Sequence, residues 1–84
     1  MKFYYITFRS VTYAQRGEQV LQKGGIRCTL LRTPKWMEER GCGYCLRLWT
    51  ENVGPAVQLL RKAQVSLRKV YVQNKEGQLE EWNL

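Results

Sequence analysis

Three observations predict an α+β fold. Apolar residues recur at helical spacing in two stretches, from about 11 to 23 and from about 52 to 63. Four short segments, near 3–8, 26–32, 45–50 and 68–73, alternate β-branched or bulky side chains with polar ones. Glycine or proline stands at the breaks between them. The order βαββαβ is the ferredoxin-like plan, a four-stranded antiparallel sheet with two helices on one face.

Each element has a local reason. Residues 3–8 alternate aromatic and β-branched side chains and end at Arg9-Ser10, where serine suits a helix N-cap. The first helix places Ala14, Gly17, Val20, Leu21 and Gly24 near one face and stops at Gly24-Gly25. The second strand ends at Thr33-Pro34, because proline cannot donate to a ladder. Residues 34–40 have room for one helical turn before the third strand. The second helix opens with Asn52 or Gly54 as cap and Pro55 in its first turn, and Ala56, Leu59, Leu60 and Ala63 form its core stripe. The fourth strand closes at Asn74 and Gly77. Residues 1–74 thus make one α+β domain, and 75–84 read as a C-terminal tail that carries Glu76, Glu80, Glu81, Trp82 and Leu84.

Strand alternation sorts the side chains. Tyr4, Ile6, Phe8, Leu46, Leu48, Val70 and Val72 face the helices, while Phe3, Tyr5, Arg47, Trp49 and Tyr71 lie on the open face. That aromatic load calls for a cover. A homodimer through Phe3, Tyr5, Trp49 and Tyr71 is one expectation; the other is the tail folding back, with Glu80 and Glu81 meeting Arg47.

Composition narrows the function. At 84 residues the chain is near the lower size for a core without metal or disulfide staples, and 44% hydrophobic with 25% charged residues reads as globular. No apolar run reaches the roughly 20 residues of a membrane span, and the N-terminal residues do not read as a signal peptide. With no such run, no membrane partner is expected; three cysteines, an odd number and too few for a disulfide scaffold, fit a reducing compartment and point to the cytoplasm. The net charge of +7 raises the prior for an acidic partner without choosing one. Having no histidine, the chain lacks the parts for Cys-His proteolysis and most metallohydrolase schemes; no cofactor or metal is expected.

Chemical character concentrates in Arg40-Gly41-Cys42-Gly43-Tyr44-Cys45. Glycines on both sides of Cys42 remove Cβ bulk, so that backbone N–H groups can turn toward the sulfur. Lys35, Arg40 and Arg47, within seven residues of Cys42, favour thiolate over thiol. Cys42 is therefore the candidate nucleophilic thiol, with Gly41, Gly43, Tyr44 and Arg40 as its setting. Against this stands the plainer reading that Cys42 is only a small residue in a tight turn. Cys28 reads as a small hydrophobe in a strand. Cys42 and Cys45 have dithiol spacing, but residues three apart on extended chain point to opposite faces, so an inert Cys45 is expected. Three cysteines without a fourth soft ligand make a poor zinc site.

Nearly the whole chain resembles a family of small selenium- or sulfur-carrier-like proteins. The residues that carry the resemblance are Ile6 to Ala14, the Gly25-Ile26 junction, Thr33-Pro34-Lys35, and Cys42-Gly43 leading into Leu46-Arg47. The resemblance implies that Cys42 attacks a donor persulfide or selenide, holds the terminal sulfur or selenium, and passes it to an acceptor protein. Such chemistry needs an exposed thiolate and anion-stabilising donors, and no enzyme acid–base apparatus. Cys45 stands where relatives are expected to carry a small or aliphatic residue. RNA binding is the rival from another class, since Arg40 to Arg47 echoes the third-strand signature of RNA-recognition motifs. The echo fails at Cys42 and Arg47, where signature aromatics belong.

Overall fold

The architecture is that of a computed structural model, which describes residues 3–33, 43–49, 53–73 and 76–82, and of Leu79 and Trp82 the backbone alone. The described elements run β1 (Phe3–Phe8), α1 (Val11–Lys23), β2 (Thr29–Arg32), β3 (Tyr44–Trp49), α2 (Val53–Lys62), β4 (Val70–Gln73) and β5 (Leu79–Trp82). The class is α+β with two helices. The sheet, however, has five strands in the order β2-β3-β1-β4-β5, every pair antiparallel. The four-stranded ferredoxin-like arrangement expected from the sequence does not describe it. Residues read as tail supply β5, which pairs with β4 from Val70↔Trp82 to Gln73↔Leu79. Pairing satisfies the backbone groups that β4 would otherwise leave on an open edge.

Both helices end alike, by geometry rather than by residue type. Ile26 N–H donates to Leu21 O at 2.8 Å and Gly25 N–H to Gln22 O at 3.0 Å. Val65 N–H donates to Leu60 O at 2.9 Å and Gln64 N–H to Arg61 O at 3.0 Å. Each pair is a Schellman closure, with the residue after the cap in left-handed conformation: Gly25 at φ 80 and Gln64 at φ 59. Closure also draws Ile26 and Val65 into the core, so β2 begins at Thr29 rather than at residue 26. At the other end of α1, Ser10 is the N-cap and its Oγ accepts from Tyr13 N–H at 3.4 Å. Of the two caps expected for α2, Gly54 lies within the helix, which already begins at Val53, and Asn52 lies outside the described residues, as does the turn expected over 34–40.

The core lies between the helices and one sheet face: Ile6, Phe8, Leu46, Leu48 and Val70 from the strands meet Ala14, Leu21, Ala56, Val57 and Leu60. α1 can approach so closely because Gly17 has no side chain. A Cβ there would stand 3.0 Å from Phe8 Cζ and 3.3 Å from methyl carbons of both Leu46 and Leu60, all on fully buried side chains. Glycine costs a helix interior about 1 kcal/mol relative to alanine, so this position favours packing over propensity. Gly17→Ala is expected to lower stability by about 1 kcal/mol net, since overpacking costs about 1–3 kcal/mol. Chemical denaturation measures it. An unchanged or higher midpoint would mean that the Phe8 ring shifts at no cost.

Candidate functional site

β2 and β3 are antiparallel neighbours, with Arg32 opposite Tyr44 and Leu31 opposite Cys45. Thr33 N–H donates to Gly43 O at 3.0 Å, which carries the pairing one residue further. Residues 34–42 therefore connect β2 to β3 at the end of the sheet where β1 finishes and β4 starts. Arg40, Gly41 and Cys42 belong to this connection and lie outside the described residues, as does Lys35. Gly43 is buried. Tyr44 opens β3 on the helix-facing side, half-buried against the core, with the Arg32 guanidinium 5.9 Å from its ring centre.

Of the three cations that sequence distance suggests, Arg47 alone is among the described residues, and it points away from this end. Arg47 is four residues along β3 from Gly43, about 13 Å of extended chain, and its guanidinium lies over the Phe3 ring at 4.7 Å. Among the described cations, Arg9 and Arg32 are nearer to this end. Arg32 faces Tyr44 across the β2–β3 ladder, and Arg9 follows Phe8, the partner of Tyr44 on β1. Strand pairing brings these residues together, and spacing along the chain does not reveal it.

The two described thiols are both suppressed. Cys45 is fully buried in β3, opposite Thr7 and Leu31. Burial raises its pKa; the neighbouring Thr33 hydroxyl and the Arg47 charge offset part of that rise. Thr33 Oγ1 is itself buried and makes no hydrogen bond of ordinary geometry. Cys28 is half-buried against the core, and burial, with a contribution from the Glu18 carboxylate, pushes its thiol up to about 11. It lines a groove of about 570 Å³ together with Arg27, Thr29, Phe3, Arg47 and Trp49. Among the described residues, no group of three or more His, Cys, Asp or Glu could hold a metal ion, and no helix is long and apolar enough to cross a membrane.

A family model described as "Putative Se/S carrier protein-like" matches residues 3–72. The chain belongs to this carrier-like family. The match spans β1 to β4 and stops short of β5. No curated protein and no solved structure matches the chain.

On the open face, Phe3 and Trp49 stack with ring centres 4.2 Å apart, and Trp49 is exposed. β5 lies in the plane of the sheet beside β4, so this stretch of the expected tail does not run across that face. Glu81 approaches Lys69, Nζ to Oε1 3.9 Å, rather than meeting Arg47. Leu84 lies outside the described residues.

The thiols should separate by reactivity. At neutral pH without denaturant, alkylation is expected to label Cys42 first, with Cys28 and Cys45 slow. Only the thiolate reacts, so the Cys28 rate should climb roughly tenfold per pH unit toward its raised pKa of about 11. Peptide mass spectrometry of a timed labelling series reads all three. Faster labelling of Cys28 or Cys45 at neutral pH would remove Cys42 as the site.

Proposed function

We propose that the protein is a non-enzymatic carrier in which Cys42 bears a persulfide or its selenium counterpart. The Cys42 thiolate attacks the outer sulfur of a donor persulfide; a new S–S bond forms, the donor's own S–S bond breaks, and the donor leaves as a thiolate. An acceptor nucleophile then takes the outer atom and Cys42 returns as thiolate. The exchange is redox-neutral and calls on no cofactor. With selenium, the donor carries the outer atom as a selenol on sulfur, and the same bonds change hands.

The observation that carries this reading is the contrast among the cysteines. Burial makes both fully buried Cys45 and half-buried Cys28 hard to ionise, whereas Cys42 stands between glycines on the connection from Arg32 to Tyr44, where the sequence resemblance puts the family's Cys-Gly pair. Arg40, Gly41, Gly43 and Tyr44 form its setting in this proposal. Burial of Cys45 favours one working thiol over a Cys42–Cys45 redox pair. Incubation with a persulfide donor protein, followed by intact mass, should add the mass of one sulfur atom to the wild type and to a Cys28→Ser/Cys45→Ala variant, and nothing to Cys42→Ser. Transfer that survives Cys42→Ser would defeat the proposal.

The open face supports a homodimer through Phe3, Tyr5, Trp49 and Tyr71. One ladder row there runs Thr29, Arg47, Tyr5, Tyr71, Glu81, with the cation on one side of the two tyrosines and the carboxylate on the other. A two-fold axis between the tyrosines sets each Arg47 against the Glu81 of the second copy and stacks the aromatics between them. Sedimentation should show a dimer that Trp49→Ala or Arg47→Glu weakens and that Glu81→Arg restores in the Arg47→Glu background. A wild type that stays monomeric at high concentration, or a double swap that restores nothing, speaks against this packing.

A further inference from the structure

Beside the end of the sheet where residues 34–42 connect β2 to β3 lies a separate pocket of about 440 Å³, lined by Arg9, Tyr13, Ser66, Leu67, Arg68 and Lys69. Its chemistry is one-sided. Among the described residues that line it are three cations and two hydroxyls and no carboxylate. α1 starts at its rim with no acidic residue in the first turn, so the positive end of a 13-residue helix adds to the same field.

The cationic wall is also held in place. Thr7 N–H donates to Lys69 O at 2.8 Å, and Arg68 N–H donates to Thr7 O at 2.8 Å. The buried Thr7 hydroxyl closes the arrangement, accepting from Lys69 N–H at 3.0 Å and donating to Lys69 O at 3.3 Å. The backbone carrying Arg68 and Lys69 is thus tied to the central strand β1, which itself delivers Arg9. Lys69 also approaches Glu81 at 3.9 Å, but both side chains are about half exposed, and such a pair yields readily to a stronger anion.

The geometry points to a binding site for a tetrahedral oxyanion, the terminal phosphate group of a small molecule, held by the Arg9 and Arg68 guanidinium groups with the Tyr13 and Ser66 hydroxyls. Arginine forks match such an anion with paired charge-assisted hydrogen bonds, and the two hydroxyls add neutral donors beside them. The site draws nothing from thiol chemistry. It stands or falls independently of the carrier role of Cys42.

Titration of the full chain with inorganic phosphate, followed by amide NMR, tests it. Saturable shifts confined to residues 9–13 and 66–69 are expected. Arg9→Gln and Arg68→Gln should each weaken binding about tenfold, the worth of one charged hydrogen bond. Arg27→Gln, an exposed cation outside the pocket, and Cys42→Ser should leave it unchanged. Unsaturable shifts over all basic surfaces, or equal weakening by Arg27→Gln, would overturn the site. Single-stranded RNA lacking a terminal phosphate is the second arm. If it moves the same amides at lower concentration, with a salt dependence of several charges, the pocket belongs to a polyanion surface and the small-oxyanion assignment is wrong.

Discussion

The seat of Phe8 against Gly17 is the constraint on which the rest of the structure depends. β1 is the middle strand of five, and Phe8, near its end, is wholly buried where α1, β3 and α2 converge on Gly17. A side chain at position 17 would lift α1 from the sheet and separate it from α2, whose Leu60 reaches the same point. Close seating of α1 fixes what precedes it. Arg9 and the Ser10 cap follow Phe8 directly, so the packing that buries the ring also sets a cation and a helix N-terminus at one end of the sheet.

Thr7 performs a matching task on the other side of β1. Its neighbour Phe8 is given to the apolar core, while Thr7 satisfies three backbone groups of Arg68 and Lys69. A valine of the same shape would pack as well but leave Lys69 N–H without its acceptor, and a lost buried hydrogen bond costs about 1–3 kcal/mol. Two chain-distant segments, 7–13 and 66–69, thereby meet with a common positive charge, at the end of the sheet where Arg32 pairs with Tyr44.

The helices were legible in the sequence because their apolar spacing agrees with their stop signals, and agreement between local and global preference is what makes a segment readable. The sequence pattern extends β2 three residues beyond its observed start at Thr29. Ile26 looks like strand by composition, but its N–H closes the last turn of α1, a role set by Gly25 and by the hydrogen bond to Leu21. β5 was missed for another reason: Leu79-Glu80-Glu81-Trp82 has two carboxylates at its centre, and an edge strand stabilised through backbone pairing carries little hydrophobic alternation. The glycine-flanked cysteine is visible as a motif, whereas contacts made through strand pairing are not. Arg47 is near Cys42 in sequence, yet its guanidinium lies along the strand over Phe3, and Arg9, far from β3 in sequence, follows Phe8, the partner of Tyr44 in the β1–β3 ladder.

The state of Cys45 bears most directly on whether a carrier can work in this chain. The persulfide proposed for Cys42 would have a competing fate: a thiolate from Cys45 could attack the inner sulfur, form a Cys42–Cys45 disulfide and expel the outer atom as hydrosulfide. That reaction loses the cargo and consumes the carrier thiol. Its rate scales with the thiolate fraction of the attacking cysteine and with its access. The structure keeps both low, since Cys45 is fully buried and burial raises its pKa despite the nearby Thr33 hydroxyl and Arg47. A strand places it there without special strain, opposite Thr7 and Leu31. Two cysteines three residues apart therefore need not be a redox pair; with one buried in the sheet, the spacing can instead accompany a single thiol whose cargo is protected from its neighbour.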